Sequence, residues 1–169
     1  RLFPLMSIQN KLGQEQKFEL WPAQVDFFEN YVYQNLRVLV LKARQKGFTL
    51  TVGLDSLLQG ALQPFRTVVL SKGDTEAREF LEKTQRVYET MPERFQSIFD
   101  VKFHSDYIFC KNTKSEIISL PSTGGRSFTC HRLVVDEAAY VKKRINGKID
   151  LSQFLAGASP TLEKMGWQI

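Results

Sequence analysis

Arg37-Val38-Leu39-Val40-Leu41-Lys42-Ala43-Arg44-Gln45-Lys46-Gly47-Phe48-Thr49 is the stretch from which the rest of the chain is best read. Its first five residues form a short apolar, β-branched run, expected to be a buried parallel strand from about Leu36 to Leu41. A helix-like segment follows the loop to about Leu62, and Pro64 stops it. A loop that holds phosphate needs backbone N–H groups aimed inward at a helix start, a glycine for close approach, a cation and a hydroxyl. Set against the spacing G-x-x-x-x-G-K-[ST], Lys42 to Thr49 keep Gly47 and Thr49 in register. Phe48 stands where the lysine belongs, and Lys42 where the first glycine belongs. A phenyl ring cannot neutralise phosphate, so the cation must come from elsewhere. Lys42, at the mouth of the loop, is the first candidate. Lys46, expected to point outward, is the second. Taken alone, the same residues also fit a strand–turn–helix with no ligand.

Outward from this loop, strands and helices alternate. Trp21-Pro22-Ala23-Gln24 opens a helix with proline in its first turn, and Val25, Phe28, Tyr31 and Val32 recur at helical spacing. Thr67–Ser71 reads as a second buried strand. Asp74 is the expected N-cap of a helix carrying Ala77, Phe80, Leu81, Val87 and Tyr88, ended by Met91-Pro92. Tyr107–Cys110 and Glu116–Leu120 read as a hairpin turned through Lys111–Ser115. A loop, Ser122–Arg126, leads to a third buried strand, Arg132–Asp136. A last amphipathic helix is expected over 151–162, and Gly166–Ile169 reads as the start of another strand. This alternation predicts an α/β fold with a mostly parallel central sheet and helices on both faces. Ligands in such sheets sit at the carboxyl ends of the strands.

The second motif falls at such an end. Leu133-Val134-Val135-Asp136-Glu137 is an apolar strand closed by two acids. An aspartate there can enter a Mg²⁺ shell while the next carboxylate polarises the attacking water. Adjacent acids at a strand end can also be a helix N-cap. Together with the loop of phosphate-binding register, they point to nucleotide chemistry.

From about Leu20 to Leu162 the sequence resembles the large-subunit terminases of tailed bacteriophages and herpesviruses. The motifs come in that family's order. Trp21-Pro22-Ala23-Gln24 looks like its adenine-recognising glutamine motif, and Lys42–Thr49 is similar to its variant Walker A loop, where the lysine moves to the loop's start. Val69-Leu70-Ser71 with Asp74, Ala77 and Phe80 matches the segment after the second strand. Ser119–Ser122 and Gly124-Gly125-Arg126 match the approach to Walker B, and Val134-Val135-Asp136-Glu137-Ala138-Ala139 matches Walker B itself.

The resemblance implies a P-loop NTPase of the RecA-like type, a three-layer sandwich, with residues 1–169 forming the ATPase domain and the family's coupling motif and nuclease domain lying beyond Ile169. It implies an ATPase that pumps double-stranded DNA into a preformed capsid, with ATP and Mg²⁺ as cofactors. Gln24 would contact adenine. The loop Lys42, Ala43, Arg44, Gln45, Lys46, Gly47, Phe48 and Thr49 would hold the nucleotide, with Lys42 on the phosphates. Thr49 and Asp136 would bind the metal, Glu137 would be the catalytic carboxylate, and Arg44 would sense or stabilise the γ-phosphate. Implied partners are DNA, the portal protein and the small terminase subunit, in a homo-oligomeric ring in the host cytoplasm. Two other readings compete: the ATPase domain of a DExx helicase, and a nucleic-acid- or portal-binding module of the same fold without turnover.

Composition is compatible with all three. The 169 residues suffice for one well-packed domain, and 43% hydrophobic with 24% charged residues argues against disorder. A net charge of +5 fits a polyanionic partner or a solvated basic face, and the densest basic cluster, Lys142-Lys143-Arg144 with Lys148, fits a phosphate-backbone contact or an exposed insertion. The apolar runs are too short to cross a bilayer, and Arg1–Leu5 makes a poor signal peptide. Two cysteines, Cys110 and Cys130, with two histidines, His104 and His131, give little support to a zinc site, and the cysteines read as two structural thiols in a reducing compartment.

Overall fold

The computed structural model describes residues 2–10, 12–34, 38–42, 46–121, 129–138 and, for the backbone alone, 162–168. Two strands, β1 (Ser7–Gln9) and β2 (Glu15–Lys17), form an antiparallel hairpin near the start. Helix α1 (Pro22–Phe27) runs into a π-helical turn, Phe28–Val32. Helix α2 (Phe48–Leu62), strand β3 (Arg66–Ser71), and helices α3 (Asp74–Tyr88) and α4 (Glu93–Phe99) follow. Strands β4 (Val101–Phe103), β5 (Tyr107–Cys110), β6 (Ser115–Pro121), β7 (Cys130–Val135) and β8 (Leu162–Gln168) complete the described chain.

The main sheet has the order β4-β5-β6-β3-β7-β8. β3 lies between β6 and β7, parallel to both, and β8 continues the parallel set beyond β7. The β4-β5-β6 meander is antiparallel, which makes the sheet mixed. The alternation of β3 explains the layering. Val69 joins Leu54, Leu57, Phe80, Leu81 and Val134 in the core under α2 and α3, while Val68 and Leu70 pack with Cys130 and Leu133 on the opposite face. Both faces are buried, and among the described residues the helices cover the first. None of these helices is long and apolar enough to cross a membrane.

Helices α2 and α3 touch at Gly53. A methyl group there would collide with Thr84 Oγ1 and stand 3.0 Å from Phe80 Cζ. Thr84 has no room to yield: it is fully buried, and its hydroxyl donates to the Phe80 carbonyl. Gly53→Ala would ordinarily gain up to about 1 kcal/mol of helix propensity. Here overpacking of roughly 1–3 kcal/mol outweighs it. The variant is expected to melt below the parent in a thermal unfolding measurement, and an unchanged or higher melting temperature would disprove the tight contact.

Several expectations need correction. The run 38–42 joins no strand ladder among the described residues. It alternates: Val38 and Val40 pack against the core, whereas Leu39 and Leu41 are 87% and 101% exposed. One side is covered rather than two, because an apolar run specifies burial only where a partner strand meets it. Gly73, not Asp74, occupies the N-cap of α3, and Asp74 is the first helical residue, where its charge still faces the helix's positive end. α3 stops at Tyr88, so Pro92 instead precedes α4, an element the sequence reading lacked along with β4. The final strand begins at Leu162. Ser122–Arg126, the Lys142–Lys148 cluster and the expected helix from Leu151 lie outside the described residues.

Candidate nucleotide-binding site

Gly47 is the N-cap of α2, with φ at 71° in the left-handed region. An alanine there would be strained by its backbone, and its methyl would stand 3.1 Å from Gln24 Nε2. That contact reflects what Gln24 does. Although a glutamine, it is 4% exposed, its Oε1 accepting from the Trp21 N–H at 2.9 Å and its Nε2 donating to the Lys46 carbonyl at 3.1 Å. The first pair caps α1 and the second ties α1 to the turn before α2. Phe48, in the lysine position, turns into the core and packs edge-on against Phe27, with centroids 5.4 Å apart. The loop's exit is thus pinned to α1 by one hydrogen bond and one aromatic contact. The Lys46 ammonium lies 5.3 Å from the Trp21 ring centroid and is exposed.

Thr49 lies in the first turn of α2, and its Oγ1 donates to Asp136 Oδ1 at 3.1 Å across 87 residues of sequence. Asp136 follows the end of β7, and its own N–H donates to the Leu70 carbonyl, which fixes it beside the end of β3. Asp136 Oδ1 also accepts from the Glu137 N–H at 3.1 Å. Glu137 has φ at 51°, a left-handed conformation that costs a side-chain-bearing residue about 1–3 kcal/mol and that concentrates at functional sites. Its side chain is exposed, open to water.

These groups line a cavity of about 110 Å³, whose other walls are Ser71, Lys72, Glu76, Glu79, Phe80 and Lys83. Lys83 binds Glu79 at 2.7 Å and holds its carboxyl below the ordinary value, while Lys72 stands 4.0 Å from Glu76. Ser71 is 3% exposed, and its hydroxyl has no hydrogen-bond partner among the described residues. A larger cavity of about 480 Å³, lined by the β1–β2 hairpin, Leu50 and α3, holds none of the strand-end acids and shares only Lys83 with this one. Chemistry therefore selects the smaller.

The donor set fits a small hard cation. Thr49 Oγ1 and Asp136 Oδ1, 3.1 Å apart, stand close to the roughly 3 Å edge of an octahedron with arms of about 2.1 Å. Among the described residues no cluster of three or more His, Cys, Asp or Glu side chains could hold a metal. A Mg²⁺ ion held by these two oxygens would take its remaining ligands from water or from the oxygens of a bound anion. The first turn of α2 lies beside them, and a helix N-terminus favours an anion.

Of the residues singled out in the sequence, Thr49, Asp136 and Glu137 meet at this cavity, Lys46, Gly47 and Phe48 lead into α2 just before Thr49, and Gln24 of α1 is bonded to the Lys46 carbonyl. Lys42 is exposed and does not line the cavity. Ala43, Arg44 and Gln45 lie outside the described residues. Sequence reading missed Ser71, Lys72 and Lys83. A signal for the first two existed, since Ser71 ends a buried parallel strand and Lys72 follows it. Elsewhere, Cys110 and Cys130 are buried and not joined to each other, and burial pushes the Cys110 thiol up to about 11.

No family model matches this chain, and no curated protein matches it. Solved structures do. The large terminase of bacteriophage HK97 aligns with 91% of this chain at a TM-score of 0.69 and 18% identity. The large terminase of a thermophilic bacteriophage aligns with 89% at 0.64 and 12% identity, and its complex with ADP aligns with 89% at 0.62 and 11%. The chain spans 33% of the HK97 protein and 38% of the thermophilic phage's protein. Over the third or so of the molecule that it spans, this chain has the fold of a phage large terminase.

Proposed function

We propose that the chain is the ATP-hydrolysing core of a DNA-packaging motor, binding Mg·ATP between the start of α2 and the ends of β3 and β7. The observation that carries this reading is the Thr49–Asp136 pair, 3.1 Å apart, with Glu137 next to it. Three residue types that phosphoryl transfer needs converge from two places 87 residues apart in the sequence. The likeness to large terminases supports the packaging role, and the thermophilic phage terminase's complex with ADP supports a nucleotide ligand.

In this reading the first-turn N–H groups of α2 hold the phosphates, and Gly47 lets the backbone approach. Thr49 and Asp136 hold Mg²⁺, which screens phosphate charge and orients the terminal group. Glu137 takes the proton of the attacking water. Gln24 serves adenine with what remains of its amide while bracing the loop, and Arg44 stabilises the γ-phosphate. Double-stranded DNA, portal and small terminase subunit are the partners, and the motor is a ring.

Lys42 supplies the loop's missing cation. Lys42→Ala is expected to weaken binding of a fluorescent ATP analogue by roughly 10–100-fold, the worth of a charge-assisted contact to phosphate. Lys46→Ala is expected to change it by less than about twofold, since its ammonium rests over Trp21. Unchanged affinity in Lys42→Ala with a loss in Lys72→Ala would move the cation to the cavity wall. If the unaltered chain shows no Mg²⁺-dependent nucleotide binding, the whole reading falls. The second reading is a binding module without turnover, favoured by Phe48 packing into the core where a phosphate lysine would stand.

A further inference from the structure

Among the described residues, polar side chains join helix α2 twice to strand β7 and the Asp136 that follows it. The first joint is Thr49–Asp136, at the site. The second is a buried ion pair: Arg132 Nη2 stands 2.8 Å from Asp55 Oδ2, with side-chain exposures of 2% and 4%. Arg132 Nη1 donates to Ser56 Oγ at 2.7 Å, and the Tyr33 hydroxyl donates to Asp55 Oδ1 at 2.8 Å. The guanidinium carbon lies 5.0 Å from the Phe65 ring centroid. Asp55 lies about one and two-thirds turns beyond Thr49, roughly 9 Å along the helix. Arg132 lies four residues before Asp136, roughly 13 Å along the strand.

A buried ion pair is a poor means of stabilisation. Removing two charges from water costs several kcal/mol each, and well-packed apolar side chains of similar volume often do as well or better. Burial pushes the Arg132 guanidinium below its ordinary value despite the carboxylate beside it. What the pair offers that apolar side chains do not is direction. The two Nη groups of one planar guanidinium reach two successive residues of α2, Asp55 and Ser56, and so fix the helix in position and angle, whereas methyl groups slide.

That difference matters because the first joint must open. A cation bound directly by both Thr49 and Asp136 would displace the hydrogen bond between them, leaving apolar packing and the second joint to set the angle of α2 on the sheet. We infer that Asp55 and Arg132 act as a positioning clamp, holding α2 in register with β7 so that Thr49 and Asp136 stay correctly spaced when a divalent cation comes between them. The inference rests on the Mg·nucleotide reading above. Both are positioning residues, since neither lines the site cavity.

The test compares the 169-residue chain with the double variant Asp55→Leu/Arg132→Met and with Arg132→Lys, measuring thermal melting and affinity for mant-ATP with and without Mg²⁺. The double variant is expected to melt like the parent and to bind mant-ATP equally without Mg²⁺. It should lose roughly tenfold or more of the affinity that Mg²⁺ adds, the usual cost of removing a group that orients metal ligands. Arg132→Lys, which keeps the charge and loses the fork, should lose part of it. A folded double variant with the parent's full Mg²⁺ effect overturns the clamp. If the double variant does not fold, Arg132→Lys decides: a reduced Mg²⁺ effect supports the clamp and an unchanged one overturns it. Absence of any Mg²⁺ effect in the parent brings down the nucleotide reading, and the clamp with it, which is a distinct result.

Discussion

Glu137→Gln is expected to leave ATP binding intact and to lower hydrolysis by roughly 10²–10⁴-fold in the protein that carries this chain, the usual contribution of a positioned general base. The substitution keeps the size of the side chain and most of its hydrogen-bonding capacity and removes its basicity. The left-handed backbone at φ 51° is no easier for glutamine than for glutamate, so the effect is not one of released strain. Binding survives because the groups assigned to phosphate and metal, Thr49, Asp136 and the α2 N-terminus, do not depend on the Glu137 side chain. Its only described link to Asp136 is through its own backbone N–H. Equilibrium binding of an ATP analogue and steady-state phosphate release, measured side by side, separate the two effects. Turnover close to that of the parent would remove Glu137 from the role of base. No turnover in the parent, with ATP still bound, would favour the module without catalysis.

Asp55→Ala should be among the most damaging single substitutions in the domain. It leaves the Arg132 guanidinium, 1% exposed, with its principal counter-charge gone in a site water does not reach. Breaking one side of a buried pair costs about 3–5 kcal/mol, far more than the intact pair contributes. For a domain of this size that corresponds to a fall of roughly 6–20 °C in melting temperature. Asp55→Asn keeps the shape and the capacity to accept from Tyr33, and should fall between. The contrast with Asp55→Leu/Arg132→Met matters most. Removing both charges should hurt stability less than removing one, a sign of non-additivity that a double-mutant cycle reads directly. A single Asp55→Ala variant melting within about 2 °C of the parent would mean that Arg132 finds another counter-charge, and the pair would lose its standing as a fixed joint.

Much of the architecture was legible in local pattern. Arg66–Ser71 and Cys130–Val135 are strands close to where apolar, β-branched runs ended by polar residues place them, and the hairpin turns through residues 111–114. The helical period of Ala77, Phe80, Leu81, Val87 and Tyr88 names the buried face of α3. Position along a strand also marked Asp136 and Glu137, because a parallel strand's carboxyl end is where a sheet of this kind presents side chains to a ligand.

Local pattern failed where the outcome depended on what lies opposite. The run 38–42 has the composition of a buried strand, yet Leu39 and Leu41 face outward, since burial of both faces requires neighbours that composition does not supply. Phe48 reads as a defect in a phosphate loop until Phe27 appears beside it. Gln24 reads as a base-contacting residue, and only the fold reveals its bond to the Lys46 carbonyl.

By itself, then, the sequence determined the alternation of strands and helices, the hydroxyl at Thr49 and the acids at a strand tip, because these depend on periodicity and on neighbours close along the chain. Tertiary structure alone decided that Thr49 meets Asp136, that Ser71 and Lys72 share their cavity, and that Asp55 meets Arg132. A charge on a helix and a charge on a strand look solvent-bound when read singly. Whether they become a joint is settled by which face of α2 lies over which residue of β7, and that register belongs to the packed core rather than to any local stretch of residues.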